Sequence, residues 1–369
     1  MTRGNSVIEY ILKNKINFTS GPKWLYENIL KDKKVIAISG THGKTTTTSM
    51  IVHLMTKNKL NPSYLIGGDP KGNTSSVKLT KSEYFVIEAD EYDTAFFDKQ
   101  SKFMHYNPYI LLINNIEFDH ADIFHDLKDI IKSFHNLLRL IPSDGRIIIN
   151  KNDLNIKKLL KIGFWSKVIS LDTKEANGDF NLIKSIKYEI LVNKIKYKLP
   201  DNLIGDHNYS NALAAIAVCS QLKININKQI KSLESFKGVQ KRMEFIGEFK
   251  GVKIYDDFAH HPTAIKAAIT AVVNKYKSQK LLTIFLPNSN SMHLGVHDDS
   301  LASSFKGSKN VLIITKSRRL KKLFKNNIKI NVIECKSQIG DYLLSNNYFD
   351  NILILSNKNT KDIIEYIKK

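Results

Sequence analysis

Apolar residues in this chain come in short dense runs that alternate with longer, spaced patterns. Val35–Ser39, Tyr64–Ile66, Tyr84–Glu88, Ile110–Ile113, Arg146–Ile149 and Val168–Ser170 are compact runs that read as strands. Helical spacing follows Gly43, Asp126 and Asp153. Alternation of this kind, from residue 33 to about 240, predicts a mostly parallel sheet with helices on both faces. Ile183–Leu199 breaks the rhythm. Its period-two pattern around Asn193 predicts an antiparallel hairpin. Asp206–Leu222 is an alanine-rich helix headed by Asp206 as candidate N-cap.

A second set begins after Arg242. Val252–Tyr255, Leu281–Leu286, Val311–Ile314, Ile330–Ile333 and Ile352–Leu355 read as strands. Pro262–Lys275, Leu320–Phe324, Gln338–Leu344 and Thr360–Ile367 read as helices. The first 32 residues are too few for a domain. They read as a helix at Val7–Leu12, a turn at Phe18–Pro22 and a helix at Trp24–Leu30. The predicted class is α/β. A central P-loop-type, mostly parallel sheet domain (33–240) precedes a Rossmann-like α/β C-terminal domain (241–369), with 1–32 as the end of something or a cover on the next domain.

Composition changes this picture little. A formal charge of +21 suggests nucleic acid at first sight. However, Lys, Ile and Asn recur along the whole chain, with no Arg/aromatic groove and no recognised nucleic-acid module. The expectation is no nucleic-acid partner and a general preference for anionic ligands. The two cysteines, Cys219 and Cys335, lie in apolar contexts and read as buried thiols without disulfide or zinc spacing. With no signal-peptide pattern and no apolar run of spanning length, a cytoplasmic protein without membrane contact is expected.

The candidate chemistry starts at Val35–Thr48, where an apolar run meets Gly40-Thr41-His42-Gly43-Lys44-Thr45-Thr46 and then a helix. Strand, glycine turn and helix start are what a phosphate loop needs. Glycines let backbone N–H groups approach phosphate oxygens, and the helix N-terminus favours negative charge. Lys44 would reach the outer phosphates and the Thr45 hydroxyl a metal ion. Ile38 stands where the general pattern has its first glycine. Glu88-Ala89-Asp90-Glu91 places acids just past a buried strand, at the edge where open α/β sheets bind ligands, so Glu88 can face Mg2+ beside Thr45. His120, in the stretch Asn114-Asn115-Ile116-Glu117-Phe118-Asp119-His120, follows a later strand and could bind a second metal ion, touch a γ-phosphate or serve the structure. Asn208 and Asn211 could meet an adenine edge or cap the helix. Arg242 is a candidate for nucleotide phosphate or ribose. Asp256-Asp257-Phe258-Ala259-His260-His261-Pro262 could be a metal site, a phosphate clamp or a helix cap.

Taken in order, these motifs resemble the Mur ligases, ATP-dependent amide-forming enzymes of peptidoglycan synthesis, over essentially the whole chain. Glu88–Lys99, Ser101-Lys102-Phe103, Phe118–Phe124 and Ser289–Gly295 look most like the branch joining UDP-N-acetylmuramate to the murein tripeptide L-alanyl-γ-D-glutamyl-meso-diaminopimelate. The resemblance implies ATP and Mg2+ as cofactors. It implies contacts from Gly40, Thr41, His42, Gly43, Lys44, Thr45, Thr46, Asn208, Asn211, Arg242 and Asp257 to the nucleotide. Thr45, Glu88 and His120 would hold metal. Lys44, Glu88 and His120 would be catalytic, and His260, Ser289 and Asn290 would face the incoming peptide, in a monomer. Alternatives within this expectation are a ligase that adds L-alanine alone and a non-catalytic ATP-binding remnant. Three departures stand out. The family's N-terminal UDP-binding domain has no counterpart, so weak sugar-nucleotide ligation is expected. Asn288 replaces the usual arginine, and Lys358-Asn359-Thr360 replaces Gly-Gly-Phe. Phe134 fills the position of the carbamylated lysine that some members carry.

Overall fold

A computed structural model describes residues 2–72, 75–277, 280–346 and 348–368. The chain separates into two compact units, residues 1–201 with 210–237, and residues 202–209 with 238–369.

The first unit is built on a ten-stranded sheet. Its strands are β1 (Lys34–Ser39), β2 (Ser63–Leu65), β3 (Val77–Lys78), β4 (Tyr84–Glu88), β5 (Ile110–Ile113), β6 (Arg146–Asn150), β7 (Lys167–Asp172), β8 (Phe180–Lys184), β9 (Tyr188–Val192) and β10 (Ile195–Lys198). The spatial order is β10-β9-β8-β7-β6-β5-β1-β4-β2-β3, parallel from β8 through β2. The central strands are apolar throughout because both faces are covered. Ile36, Ile38, Leu111, Leu112, Ile147 and Ile148 are fully buried. Helices α1 (Ser6–Lys13) and α2 (Gly21–Leu25) precede the sheet, α3 (Lys44–Lys57), α4 (Leu127–Leu138) and α5 (Leu154–Ile162) connect its strands, and α6 (Asp206–Gln221), whose first residues belong to the second unit, and α7 (Ile226–Leu233) follow it. Asp126 caps α4 by accepting from the Lys128 and Asp129 N–H groups, and Asp153 caps α5 the same way.

The second unit carries a six-stranded sheet of β11 (Glu244–Phe249), β12 (Val252–Asp257), β13 (Leu281–Phe285), β14 (Asn310–Ile314), β15 (Ile330–Ile333) and β16 (Asn351–Leu355). Its order is β11-β12-β16-β13-β14-β15, parallel except for β11. The chain leaves β13 towards β14 and returns as β16 between β12 and β13, so its switch point lies between β13 and β16. Helices α8 (Pro262–Tyr276), α9 (Asn290–Leu294), α10 (Asp298–Ser304), α11 (Arg318–Phe324), α12 (Gln338–Ser345) and α13 (Lys361–Lys368) complete it. Two apolar clusters, one around Phe285 and Ile269 and one around Leu282 and Ile339, form its core.

The α/β class expected from the pattern is present, and so are its strands to within a residue or two. Several local expectations need correction. Gly21 and Pro22 do not lie in a turn. Ser20 accepts from the Lys23 N–H and starts α2 there, and the helix continues as one π turn at Tyr26–Leu30. The hairpin around Asn193 is a three-stranded meander, because Phe180–Lys184 pairs with β9 as well. Asn193 and Lys194 both have positive φ, the turn that suits the twist of a tight hairpin. Cys219 is buried in α6, but Cys335 is exposed, since β15 ends two residues earlier. The stretch after Ser289 forms the short α9, capped by Ser289 through the Met292 N–H at 3.2 Å. Strand β11 was hidden because its apolar residues are only half buried or exposed.

Phe134 lies in the core of the first unit, its ring 5.2 Å from that of Phe103. Truncation would leave a cavity between α4 and the sheet. Phe134→Ala should lower stability by about 3–5 kcal/mol, read as a lower urea midpoint. An unchanged midpoint would show that this packing carries no weight.

Candidate functional site

The parallel register of β5, β1 and β4 fixes the site of the first unit. These three neighbours end at Ile113, Ser39 and Glu88, so the loops that follow open side by side at one sheet edge. The middle loop is Gly40–Gly43. It is held from the β5 side. Asn115 accepts from the His42 N–H at 2.8 Å and donates to the His42 carbonyl at 3.2 Å, and its own carbonyl accepts from the Thr41 N–H. The Thr41 hydroxyl accepts from the Glu117 N–H at 2.8 Å. Space decides the two glycines. A Cβ on Gly40 would stand 2.9 Å from the Asn115 carbonyl oxygen, and one on Gly43 would stand 2.6 Å from Asn211 Oδ1. Gly43 also has φ +83°, a backbone region costly to other residues.

Lys44 opens α3 and turns back over the loop. Its ammonium donates to the Gly40 carbonyl at 2.8 Å and lies 3.3 Å from Glu91 and 3.6 Å from Asp90. Burial pulls the Lys44 pKa down, but the carboxylates of Glu91, Asp90 and Glu88 outweigh it and leave it raised, so the ammonium stays charged. The Thr45 hydroxyl donates to Glu88 Oε2 at 3.1 Å, and Glu88 Oε1 accepts from the Gly67 N–H at 2.6 Å. His120 joins the other two acids instead. Its Nε2 is 3.7 Å from Glu91 and 4.0 Å from Asp90, and one ligand atom from each of the three lies within 4.8 Å of the others. Burial raises Asp90, yet Lys44, His120 and Lys102 hold its pKa below the usual range. His120 has φ +56°, and Asp119 Oδ1 accepts its N–H at 2.8 Å. A positive φ on a histidine is strain of the kind that clusters at working sites.

Thus Thr45 and Glu88 meet directly, and His120 sits at the same edge with Asp90 and Glu91. Residue patterns had named the acid run but not the different duties of its members. Asp90 and Glu91 follow Glu88 in sequence, and only the bend after β4 turns Glu91 inward, to 2 % exposure. Asn115 lies in the polar stretch after β5, and only the tertiary fold turns it onto the loop as a clamp.

In the second unit, Asp257 ends β12 and accepts from the Met243 N–H at 2.6 Å and the Ala259 N–H at 2.8 Å. These bonds bring the Lys241–Met243 bend against β12 and place the Arg242 guanidinium 4.5 Å from the Phe258 ring centre. His261 accepts from the Thr263 N–H and caps α8, which supplies one helix-cap role for the histidine pair. His260 Nδ1 lies 3.1 Å from the Phe258 carbonyl. The Asn208 amide donates to the Ile204 carbonyl at 2.8 Å. Asn290 is exposed on α9.

Residues 38–219 match the Mur ligase middle domain and residues 241–355 the Mur ligase glutamate ligase domain. The chain belongs to the Mur ligase family. Mur ligases are ATP-dependent ligases that use a metal ion. The chain is 43% identical over 309 residues to the UDP-N-acetylmuramate–L-alanyl-γ-D-glutamyl-meso-2,6-diaminoheptandioate ligase of Haemophilus influenzae, covering 82% of this chain and 67% of that one. Its identity to the Escherichia coli enzyme of the same name is 42% over 320 residues, covering 85% and 69%. It superposes on a murein peptide ligase from Psychrobacter arcticus with TM-score 0.74 and 33% identity, covering 100% of this chain and 84% of that one. Among the described residues, no helix is long and apolar enough to cross a membrane.

Two tests follow from this Mur ligase geometry. Gly43→Ala should weaken binding of a fluorescent ATP analogue at least ten-fold, because the Cβ meets Asn211 in a strained backbone region. Wild-type affinity would mean that the loop can shift without cost. The second concerns Asp256. Burial, Asp257 and Glu244 push its pKa up to about 6, against the pull of the Thr360 hydroxyl bond at 2.5 Å and of Lys241. A raised acid pKa favours folding below the unfolded value near 4, and that contribution is lost as pH rises through 6. Asp256→Asn keeps an acceptor for Thr360 and removes the charge. The variant should be more stable than wild type at pH 7–8, by on the order of 2–3 kcal/mol, with the gap closing below pH 4. A gap independent of pH in urea melts would refute it.

Proposed function

We propose that this chain is the ligase that joins UDP-N-acetylmuramate to L-alanyl-γ-D-glutamyl-meso-diaminopimelate, working in the cytoplasm on peptidoglycan precursors. The observation that carries it is the convergence of Lys44, the Thr45–Glu88 pair and the Asp90–Glu91–His120 cluster on one sheet edge. The relatives' names supply the substrates.

The donors fit a hard divalent ion. The hydroxyl and carboxylate oxygens of Thr45 and Glu88 stand 3.1 Å apart, and Asp90, Glu91 and His120 offer atoms within 4.8 Å of one another. In this reading Thr45 and Glu88 would hold one Mg2+ and His120 another, and such ions would supply positive charge against the phosphates. Gly40, Thr41, His42, Gly43 and Thr46 cradle the phosphates, since a Cβ on either glycine would close the space. Asn208 and Asn211 address adenine, and Arg242 and Asp257 the rest of the nucleotide. His260, Ser289 and Asn290 lie on the unit that takes the peptide.

A muramate carboxylate oxygen then bonds to the γ-phosphorus as the bond to ADP breaks, giving an acyl phosphate. The peptide amine attacks the acyl carbon, loses a proton, and inorganic phosphate leaves. Catalysis is positioning plus charge neutralisation. Lys44, kept protonated by its acids, stabilises the transferring group.

Lys44→Ala should abolish ADP release in the presence of both substrates and preserve the circular-dichroism spectrum, a loss of about 3 kcal/mol or more at the barrier. Turnover within a few-fold of wild type would remove Lys44 from the mechanism. Glu88→Gln and His120→Ala should each move the Mg2+ midpoint of the same assay upward. Unchanged midpoints in both would make these residues structural.

A further inference from the structure

Three apolar side chains stand in solvent where α5 turns into β7. Ile162, Phe164 and Trp165 are 54%, 46% and 53% exposed. Gly163 ends α5 at φ +146°, and the chain runs on through Phe164 and Trp165 into β7. Trp165 is held in place. Its ring lies 5.8 Å from that of His135 and 5.1 Å from the Arg139 guanidinium, both at the end of α4. Cations surround the group. Arg139 stands beside Trp165, Lys158 and Lys161 are exposed in the second half of α5, and Lys167 is exposed at the start of β7. No acid occurs from residue 154 to residue 170, and none of these four cations pairs with a carboxylate among the described residues. Asp144 is in the neighbouring turn, whose Pro142 carbonyl accepts from the Ser166 hydroxyl, and Arg146 beside it offsets its charge.

We propose that this corner attaches the chain peripherally to an anionic lipid surface. The inference does not depend on the ligase reading. Residue chemistry favours lipid. Trp and Phe settle at the level of lipid headgroups, and lysine stems lie along apolar surface while their ammoniums reach the phosphates. Charge favours an anionic bilayer over a neutral one, because each basic side chain within a Debye length of the surface is attracted to it. Size disfavours a folded protein partner, whose interface takes about 20–30 residues a side. Contact of this kind needs no spanning helix, and it revises the expectation of no membrane contact, which rested on that criterion. Topology keeps the contact away from the chemistry. Helix α5 starts past the carboxyl end of β6 and finishes at the amino end of β7. The Gly40–Gly43 loop and Glu88 lie at the carboxyl ends of strands in the same parallel sheet. A lipid surface against the corner therefore leaves the catalytic edge open to dissolved substrates.

Flotation of the full chain with vesicles tests this, using equal parts phosphatidylcholine and phosphatidylglycerol against phosphatidylcholine alone. The chain should float with the anionic vesicles and about ten-fold less with the neutral ones. Binding should weaken as salt rises from about 0.1 M to about 1 M. Phe164→Ser with Trp165→Ser, and separately Lys158→Gln with Lys161→Gln, should each lower the partition coefficient about ten-fold. A formal charge of +21 attracts anionic vesicles to any face. Lys196→Gln with Lys198→Gln, on exposed positions of β10, is therefore the charge-matched control and should change partition by about two-fold at most. In a Trp24→Phe background Trp165 is the only tryptophan. Its emission should shift to the blue on adding anionic vesicles and be quenched by lipids with brominated chains. Thermal melts check that each variant folds, and the Trp165 emission decides the question in a chain whose corner is intact. Failure to float with anionic vesicles overturns the proposal. So does a loss in the β10 control equal to that in the α5 pair, or Trp165 emission that vesicles leave unchanged.

Discussion

The approach of backbone to backbone at Gly40 sets the geometry of the first unit's chemistry. Its Cα lies so near the Asn115 carbonyl that a single added carbon would stand at 2.9 Å. That closeness follows from β1 and β5 being parallel neighbours that end in register, Ser39 against Ile113. Because they end together, the Asn115 side chain can bracket His42 with two hydrogen bonds and hold the loop before any ligand arrives. A loop held this way has little entropy left to lose on binding. Neighbouring β4 ends at the same level and delivers Glu88 to Thr45. The site is therefore a property of strand register as much as of its side chains.

Electrostatics then sorts the residues. The chain carries a formal +21, yet the site edge gathers Glu88, Asp90, Glu91 and Glu117. Two opposed effects act on Lys44. Burial disfavours its charge and three acids favour it, and the acids win. In return Lys44 helps to hold Asp90 ionised in a setting whose burial would protonate it. In the second unit the balance falls the other way. Asp256 has one oxygen without a hydrogen-bond partner and its charge is disfavoured, while its neighbour Asp257 accepts two backbone N–H groups. Adjacent aspartates in one strand thus face opposite environments, as the pleat requires.

Much of this was legible in the residue pattern. Dense apolar runs become the central strands because both faces of a parallel sheet are covered, and this chain meets that with Ile, Leu, Val, Phe and Ala. Asp126 and Asp153 announce their helices by chemistry that needs no tertiary partner. Gly40 through Thr45 is legible for the same reason, as its spacing is local. Cues failed where burial decides. Cys335 sits among apolar residues but beyond the end of its strand, and Glu244–Phe249 pairs at a sheet edge with its apolar residues half exposed.

The amino-acid sequence alone determined the α/β class and singled out the Gly40–Thr46 turn, the acids after β4 and His120, because each is written in contiguous residues. Tertiary structure decided how those residues divide the work. Which acid meets Thr45, which meets Lys44 and which joins His120 depends on the bend after β4 and on the positive φ of His120, and neither is encoded in the spacing of charged letters. Contacts between residues distant along the chain come from the order of strands in space, which is set by packing the whole sheet at once.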